Sequence, residues 1–441
     1  MFSSFMIAAD KSGSGKTTLT TGIIRYLTRT GRTVAPFKCG PDYIDTLHLE
    51  RASGRKAYNL DSVMLSRSTV ADVFAKSCAG ADAAVIEGVM GILDGVSHTD
   101  FAGSSADVAS IIDVPCVLVL DCSGSSYTAA AMVRGISELA KVRMAGVVLN
   151  NIASDRHAFL VRSAVETHTD CKVLGTLPKN SEKLLGSRHL GIKTAMEVNG
   201  EYLDACADFA SANVNIEDLL TLCRTTDFET ATYHTAQSEK RDKTAYVAYD
   251  KAFQFYYNSN IDFLRSAGFD VRFFSPLAGE GIDGADFVYI GGGYPELYAK
   301  QLSESPTAKI IKDYAESGGR LYAECGGLMF LSGGIHTADG FFPMAGVFDC
   351  VTRMCDRRQA LGYVRAELVK DCILGRAGES NIGHEFHYSA MENYSGEYAY
   401  RLTRITDGKT SQDGLIYKNT AAAYTHLHFL CDNPLIKNLI I

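Results

Sequence analysis

The chain has 441 residues, 46% of them apolar and 21% charged, with a net charge of −8. The length suits two domains, and the balance is that of a globular protein, not a disordered or fibrous one. The acidic excess argues against nucleic acid as a partner, and no run of about 18 apolar residues marks a membrane span.

The start, MFSSFMIAAD, is apolar but short, lacks a basic n-region and runs straight into a glycine-rich segment. It reads as a first strand and not as an export signal, so a cytoplasmic location is expected. The twelve cysteines show no C-x-x-C pair. The default for each is a reduced thiol packed as a small hydrophobe.

In chain order, FMIAA (5–9) predicts a strand and residues 17–31 a helix that stops at glycine. TVAPF (33–37), AAVIEG (83–88), VPCVLVLD (114–121), AGVVLNN (145–151) and CKVLGTLP (171–178) predict further buried strands. Helices are expected at 126–141 and 155–168. Such alternation implies a parallel sheet covered on both faces. The polar stretch 225–244 has no apolar period and reads as a linker. AYVAYD (245–250), FDVRFF (269–274), ADFVYIGGG (285–293) and RLYAE (320–324) then begin a second α/β domain. The expected domains are 1–224 and 245–441.

KSGSGKTT (11–18) lies between a predicted strand and a predicted helix, the context of a phosphate-binding loop. Gly13, Ser14 and Gly15 would turn backbone N–H groups toward phosphate, and the helix start adds a favourable field. Lys16 would neutralise the β/γ-phosphates, Thr17 would offer its hydroxyl to Mg²⁺, and Thr18 completes the loop. The first position of the strict pattern is Asp10, not glycine. A phosphate loop also needs carboxylates for its metal. Glu87 ends a buried strand, where ligands bind in open α/β sheets. Asp42 and Asp45 in GPDYID, and Asp94 in GILDG, are further candidates for substrate binding; the plainer reading of each is turn chemistry.

Cys325 follows a predicted strand and precedes two glycines and an apolar helical start. Glycines there permit the strained turn of a nucleophile elbow, and a helix N-terminus favours the thiolate. AAYTHLHFL (422–430) reads as a strand with His426 and His428 on one face; either is a candidate base. Gly292 and Gly293, after another strand, offer backbone N–H groups for an oxyanion hole.

Taken together, SGSGKTT, PFKCGPDYID, VIEGVMGILDG, FSPL, GGGYPELYA, ECGGLMFL, GHEFHYS and HLHF run in order over nearly the whole chain. In these motifs it resembles the cobyrinic acid a,c-diamide synthase family, glutamine-dependent amidotransferases of cobalamin biosynthesis. The resemblance implies an N-terminal P-loop domain similar to dethiobiotin synthetase, with a parallel sheet, and a C-terminal class I glutaminase-like domain of flavodoxin-like α/β type. It implies ATP and Mg²⁺, glutamine as nitrogen donor, a corrin-type tetrapyrrole as substrate and, by analogy with dethiobiotin synthetase, a homodimer.

The resemblance puts the nucleophile on Cys325 and its histidine on His426. Gly13, Gly15, Lys16, Thr17 and Thr18 fall on the nucleotide loop, Glu87 on the metal-binding glutamate, and Asp42 and Asp45 on acids around phosphate and substrate. Where many class I glutaminases carry a glutamate two positions past the histidine, this chain has His428, which favours a Cys–His dyad. Glu385 and His387 are expected at the cleft. Ala9, Asp10 and Lys11 depart from the family's usual residues, and an acid beside phosphates is unfavourable unless it points away. Rival readings are a sister enzyme acting on nickel-sirohydrochlorin or hydrogenobyrinic acid, cobyric acid synthase, a scaffolding P-loop ATPase and a cysteine hydrolase.

Overall fold

A computed structural model describes residues 2–179, 200–225 and 243–431. The chain divides into two compact units, Met1–Tyr233 and His234–Ile441. Apart from Thr225, Lys243 and Thr244, the stretch expected as a linker lies outside the described residues.

The first unit runs β1 (Phe2–Ala9), α1 (Lys16–Arg29), β2 (Val34–Cys39), α2 (Tyr43–Ser53), β3 (Tyr58–Leu60), α3 (Arg67–Ser77), β4 (Ala83–Glu87) and α4 (Ser105–Ile112). It continues with β5 (Cys116–Asp121), α5 (Thr128–Ala140), β6 (Met144–Ile152), α6 (Asp155–His168), β7 (Val173–Pro178), α7 (Gly200–Asn213), α8 (Ile216–Leu222) and β8 (Arg224–Thr225). Seven strands are parallel in the order β3-β2-β4-β1-β5-β6-β7, and β8 returns antiparallel to the start of β1. The central strands read as unbroken apolar runs because helices cover both sheet faces; Phe5, Ile7, Val85, Val117 and Val148 are fully buried. Strand order reverses at β1, the place where doubly wound sheets open a crevice at their carboxyl ends. In register, Ile7 and Lys38 both lie opposite Glu87. A cation and a carboxylate are thereby set side by side at the end of the sheet.

The second unit runs β9 (Lys243–Ala248), β10 (Phe253–Phe255), α9 (Asn258–Ser266), β11 (Phe269–Phe274), β12 (Phe287–Ile290), β13 (Gly292–Gly293), α10 (Ala299–Glu304), α11 (Pro306–Glu316), β14 (Leu321–Glu324) and α12 (Gly326–Leu331). Then follow β15 (Gly334–Thr337), β16 (Gly340–Pro343), β17 (Val351–Met354), β18 (Ala360–Leu368), β19 (Ser380–His387), β20 (Ser389–Glu392), β21 (Tyr400–Arg404), β22 (Thr410–Asp413), β23 (Leu415–Tyr417), β24 (Thr420–Ala423) and β25 (His426–Leu427). The central sheet is β11-β9-β12-β14-β24-β23, parallel except for β23. A mixed sheet, β16-β15-β17-β20, in which β15 and β17 run parallel, and an antiparallel sheet, β22-β21-β18-β19-β25, accompany it.

The segment 422–430 is not one strand. The Asp413 carboxylate accepts the N–H groups of Tyr424 and Thr425, at 3.1 and 2.9 Å, and the Thr425 hydroxyl at 2.9 Å. The chain turns there, leaving β24 beside β14 and sending β25 to β19. The expected alternation of His426 and His428 along a continuous strand therefore fails, since β25 ends at Leu427.

Among the described residues, no helix is long and apolar enough to cross a membrane.

Candidate active site

Each unit carries one centre. In the first, the loop after β1 turns through Gly13 (φ 80°) and Gly15 (φ 91°), a left-handed backbone that side chains resist. Asn150, from β6, donates to the Ser14 carbonyl at 2.8 Å and steadies the loop. Lys16 opens α1, and its ammonium donates to the carbonyls of Lys11 and Met90. Burial, then the nearby Lys38, lower its proton affinity.

Asp10 does not lie free beside the loop. Its Oδ1 accepts the Ser14 hydroxyl at 2.7 Å and the Asp121 N–H at 3.4 Å. Lys11 pairs with Asp121 at 2.7 Å. Asp10 and Lys11, two of the three departures from the family pattern, are thus held by contacts to Ser14 and Asp121.

Thr17 donates to Glu87 and, at 3.4 Å, to Asp45. Lys38, buried in β2, bridges Asp45 Oδ2 and Glu87 Oε1, each at 2.9 Å. Burial opposes the Lys38 charge, but Asp45 and Glu87 outweigh it and hold its proton more tightly than usual. Burial and then Asp45 push the Glu87 carboxyl up to about 7, against the pull of Lys38. Asp42 caps α2 by accepting the Asp45 N–H at 2.9 Å. Asp94 accepts the Gly91 N–H at 3.1 Å, and so holds the loop that carries Met90.

Oxygen donors of Thr17, Asp45 and Glu87 converge here, and Glu87 Oε2 is buried with no partner among the described residues. Hard oxygen ligands with one spare carboxylate oxygen fit a magnesium ion accompanying a nucleotide. Lys38 gave no signal beyond a lysine inside an apolar strand, and sequence patterning assigned it no role.

In the second unit Cys325 joins β14 to α12 with φ 49° and ψ −103°. A non-glycine residue there is strained, and such strain gathers where a side chain must be presented. This is the geometry of a nucleophile elbow. The glycines after it are required by packing: a Cβ on Gly327 would sit 2.3 Å from the Ile290 carbonyl oxygen. Gly327→Ala is expected to destabilise the protein by about 1–3 kcal/mol, read as a lower urea midpoint.

The His426 imidazole is set against the Cys325 side chain, whose interaction favours the charged ring. Burial opposes its charge, but Cys325 and Glu324 outweigh that and raise it to about 10. Glu324 Oε2 lies 3.5 Å from His426 Nδ1. A Cβ on Gly292 would fall 2.7 Å from the imidazole, and one on Gly326 2.9 Å from the Gly293 nitrogen. The two glycines expected in an oxyanion hole therefore border His426 and the residue after Cys325.

His428 is drawn elsewhere. Its ring packs on Tyr257 at 4.8 Å and its Nδ1 accepts the Leu430 N–H at 3.2 Å. Burial pushes it down to about 3. The unfolded chain, titrating near 6.5, therefore binds this proton first, and folded-state stability falls as pH drops from 6.5 toward 3. Between pH 7 and 5 the loss from this one group is about 2 kcal/mol. Urea midpoints at both pH values are expected to converge in His428→Gln relative to the parent.

His384 faces His426 across the β19–β25 pair and is pushed down to about 3 by burial and the His426 charge. His387 stacks on Tyr424 at 3.9 Å and stands 3.9 Å from Glu385. GHEFHYS thus borders the thiol centre through His384 and the Tyr424 ring.

A model of the CobQ/CobB/MinD/ParA nucleotide-binding domain matches residues 5–190, and one of the CobB/CobQ-like glutamine amidotransferase domain matches 244–434. The chain is 39% identical over 439 residues to a cobyrinate a,c-diamide synthase of Listeria monocytogenes, covering 96% of both chains. It is 38% identical over 432 residues to that of Picrophilus torridus, covering 97% of this chain and 95% of the other. It is 35% identical over 442 residues to that of Archaeoglobus fulgidus, covering 99% and 96%.

Proposed function

The chain belongs to the cobyrinate a,c-diamide synthase family, and from that premise we propose that it amidates the a- and c-acetate carboxylates of cobyrinic acid at the cost of ATP. It is a glutamine-dependent amide-forming ligase. The observation that carries the reading is Cys325, held at positive φ with His426 beside it, in one chain with an intact G-S-G-K-T-T loop.

The chemistry divides between the two centres. His426 takes the Cys325 proton, and the sulfur attacks the side-chain amide carbon of glutamine. The oxyanion forms beside the Gly292 and Gly293 backbone. The imidazolium returns its proton to the departing nitrogen, ammonia leaves, and water hydrolyses the glutamyl thioester to glutamate and free thiol. In the first unit, a substrate carboxylate oxygen attacks the γ-phosphorus of ATP, giving an acyl phosphate and ADP. This step replaces a poor leaving group by a good one. Ammonia attacks the acyl carbon and phosphate departs.

Lys16 would supply the cation that the growing negative charge between β- and γ-phosphates needs. Thr17, Asp45 and Glu87 would hold Mg²⁺, which supplies charge neutralisation at the phosphates. Asp42 and Asp94 fix the loops that flank the same edge and are the candidates for contacts to the tetrapyrrole.

The test is to incubate protein with ATP, Mg²⁺, glutamine and cobyrinic acid and to follow product masses. Stepwise formation of a monoamide and then a diamide supports the assignment. Turnover of nickel-sirohydrochlorin or hydrogenobyrinic acid, with cobyrinic acid untouched, would reassign the substrate but keep the chemistry. ATP hydrolysis with no amide from any of them would favour a scaffolding ATPase.

A further inference from the structure

We propose that Glu324 is the positioning carboxylate of the thiol centre: it holds His426 through Nδ1 and stabilises the positive charge gained with the Cys325 proton. This rests on the Cys325–His426 reading above. It supplies a third member of a triad, at a place other than the position two past the histidine, where His428 stands instead of an acid.

Glu324 is the last residue of β14 and immediately precedes the nucleophile. It is 1% exposed, and a carboxylate so deeply buried costs free energy unless donors surround it. Here they do. Tyr289 donates to Oε2 at 2.7 Å, Tyr322 to Oε1 at 2.9 Å, and the Leu427 N–H to Oε1 at 2.9 Å. The two tyrosine rings stack at 5.7 Å, so the carboxylate rests on a rigid platform. The Leu427 contact ties it to the residue after His426.

Its Oε2 is thereby aimed at His426 Nδ1, 3.5 Å away, on the opposite side of the ring from the atom left to serve the thiol. That distance is long for a hydrogen bond, as catalytic contacts often are before substrate binds. The titratable groups shown to act on His426 or to face it include Cys325, Glu324 and, across the β19–β25 pair, His384. Of these three, Glu324 is the one on the Nδ1 side that favours the charged ring. In triads generally the orienting acid selects the tautomer and supports the imidazolium without touching substrate.

A purely structural role, clamping two tyrosines and one amide, predicts lost stability but no change in how the thiol titrates. The decisive measurement is therefore a pH profile on the full-length protein. Iodoacetamide alkylation of Cys325, followed by peptide mass, is compared in the parent, Glu324→Gln and Glu324→Asp. Glu324→Gln is expected to slow alkylation at neutral pH by at least about tenfold and to move the midpoint of the rate–pH profile upward. Glutamine-dependent amidation is expected to fall by on the order of 10²–10⁴-fold, with ammonia-dependent amidation retained. Glu324→Asp is expected to recover part of both losses. A parental profile and a parental glutamine rate in Glu324→Gln overturn the proposal.

Should Glu324→Gln fail to fold, Cys325→Ala with ¹⁵N-labelled histidine decides. With the thiol gone, His426 is expected still to titrate above an ordinary histidine, near 6.5, because Glu324 remains. Titration below that value overturns the proposal. Failure of the underlying reading looks different: Cys325→Ala would then keep its glutamine-dependent activity.

Discussion

Cys325→Ala is expected to lose glutamine-dependent amidation by on the order of 10⁴-fold or more, the scale of removing a covalent nucleophile. With free ammonia the same variant is expected to amidate at close to the parental rate. The asymmetry follows from the division of labour. In the proposed mechanism the thiol's task ends when ammonia leaves glutamine, and no step of phosphoryl transfer uses sulfur. The residue is 8% exposed, and alanine fits its space without adding volume, so stability should change little. Rates measured with the two nitrogen sources, on one preparation, check the result. Equal loss with both would place Cys325 in the fold and not in the chemistry.

Lys16→Met is expected to give the complementary pattern. Amidation falls by at least about a hundredfold, to the same extent with glutamine and with ammonia, because in the proposed mechanism acyl-phosphate formation precedes both. Methionine keeps the length of the aliphatic stem but carries no charge, so the β/γ-phosphates lose their closest cation. The buried ammonium now satisfied by the Lys11 and Met90 carbonyls disappears with it, and the loop 89–91 loses a tether. Alkylation of Cys325 in the same variant should keep its parental rate, since the thiol centre lies wholly within the second unit. ADP formation and peptide mass provide the two readouts. A loss seen with glutamine alone would contradict the assignment.

The phosphate loop was legible because its chemistry is local. Glycines, lysine and threonine lie within eight residues, and the flanking strand and helix announce themselves by apolar pattern. Glu87 was legible because a charge closing a buried apolar strand costs free energy unless a site uses it. The same logic applies to Glu324, which also ends a short apolar strand, yet the adjacent Cys325 is the more conspicuous residue. Lys38 was not legible. Its meaning depends on β2 lying beside β4, so that Lys38 and Glu87 share a register, and the sheet order is not written in either strand.

The choice between His426 and His428 shows where local pattern ends. Alternation along a strand would put both on one face. It fails because Asp413, itself eleven residues before Tyr424, captures the Tyr424 and Thr425 amides and bends the chain. His426 is then delivered to Cys325, and His428 to Tyr257. The sheets that hold GHEFHYS were not legible either, since β18 and β19, though nine and eight residues long, are only partly buried and mix apolar with polar residues.

The order of amino acids was enough for whatever depends on neighbours in the chain: two α/β units, a phosphate loop, a cysteine on a glycine-flanked turn, and the family these motifs mark. Which distant groups meet was settled by folding. It set Lys38 between Asp45 and Glu87, turned Asp10 onto Ser14, and brought Glu324 to His426 across about a hundred residues. The reason is physical. Backbone propensity and apolar period act over a few residues, whereas the pairing of charges is fixed by strand order and register, which many weak contacts settle together.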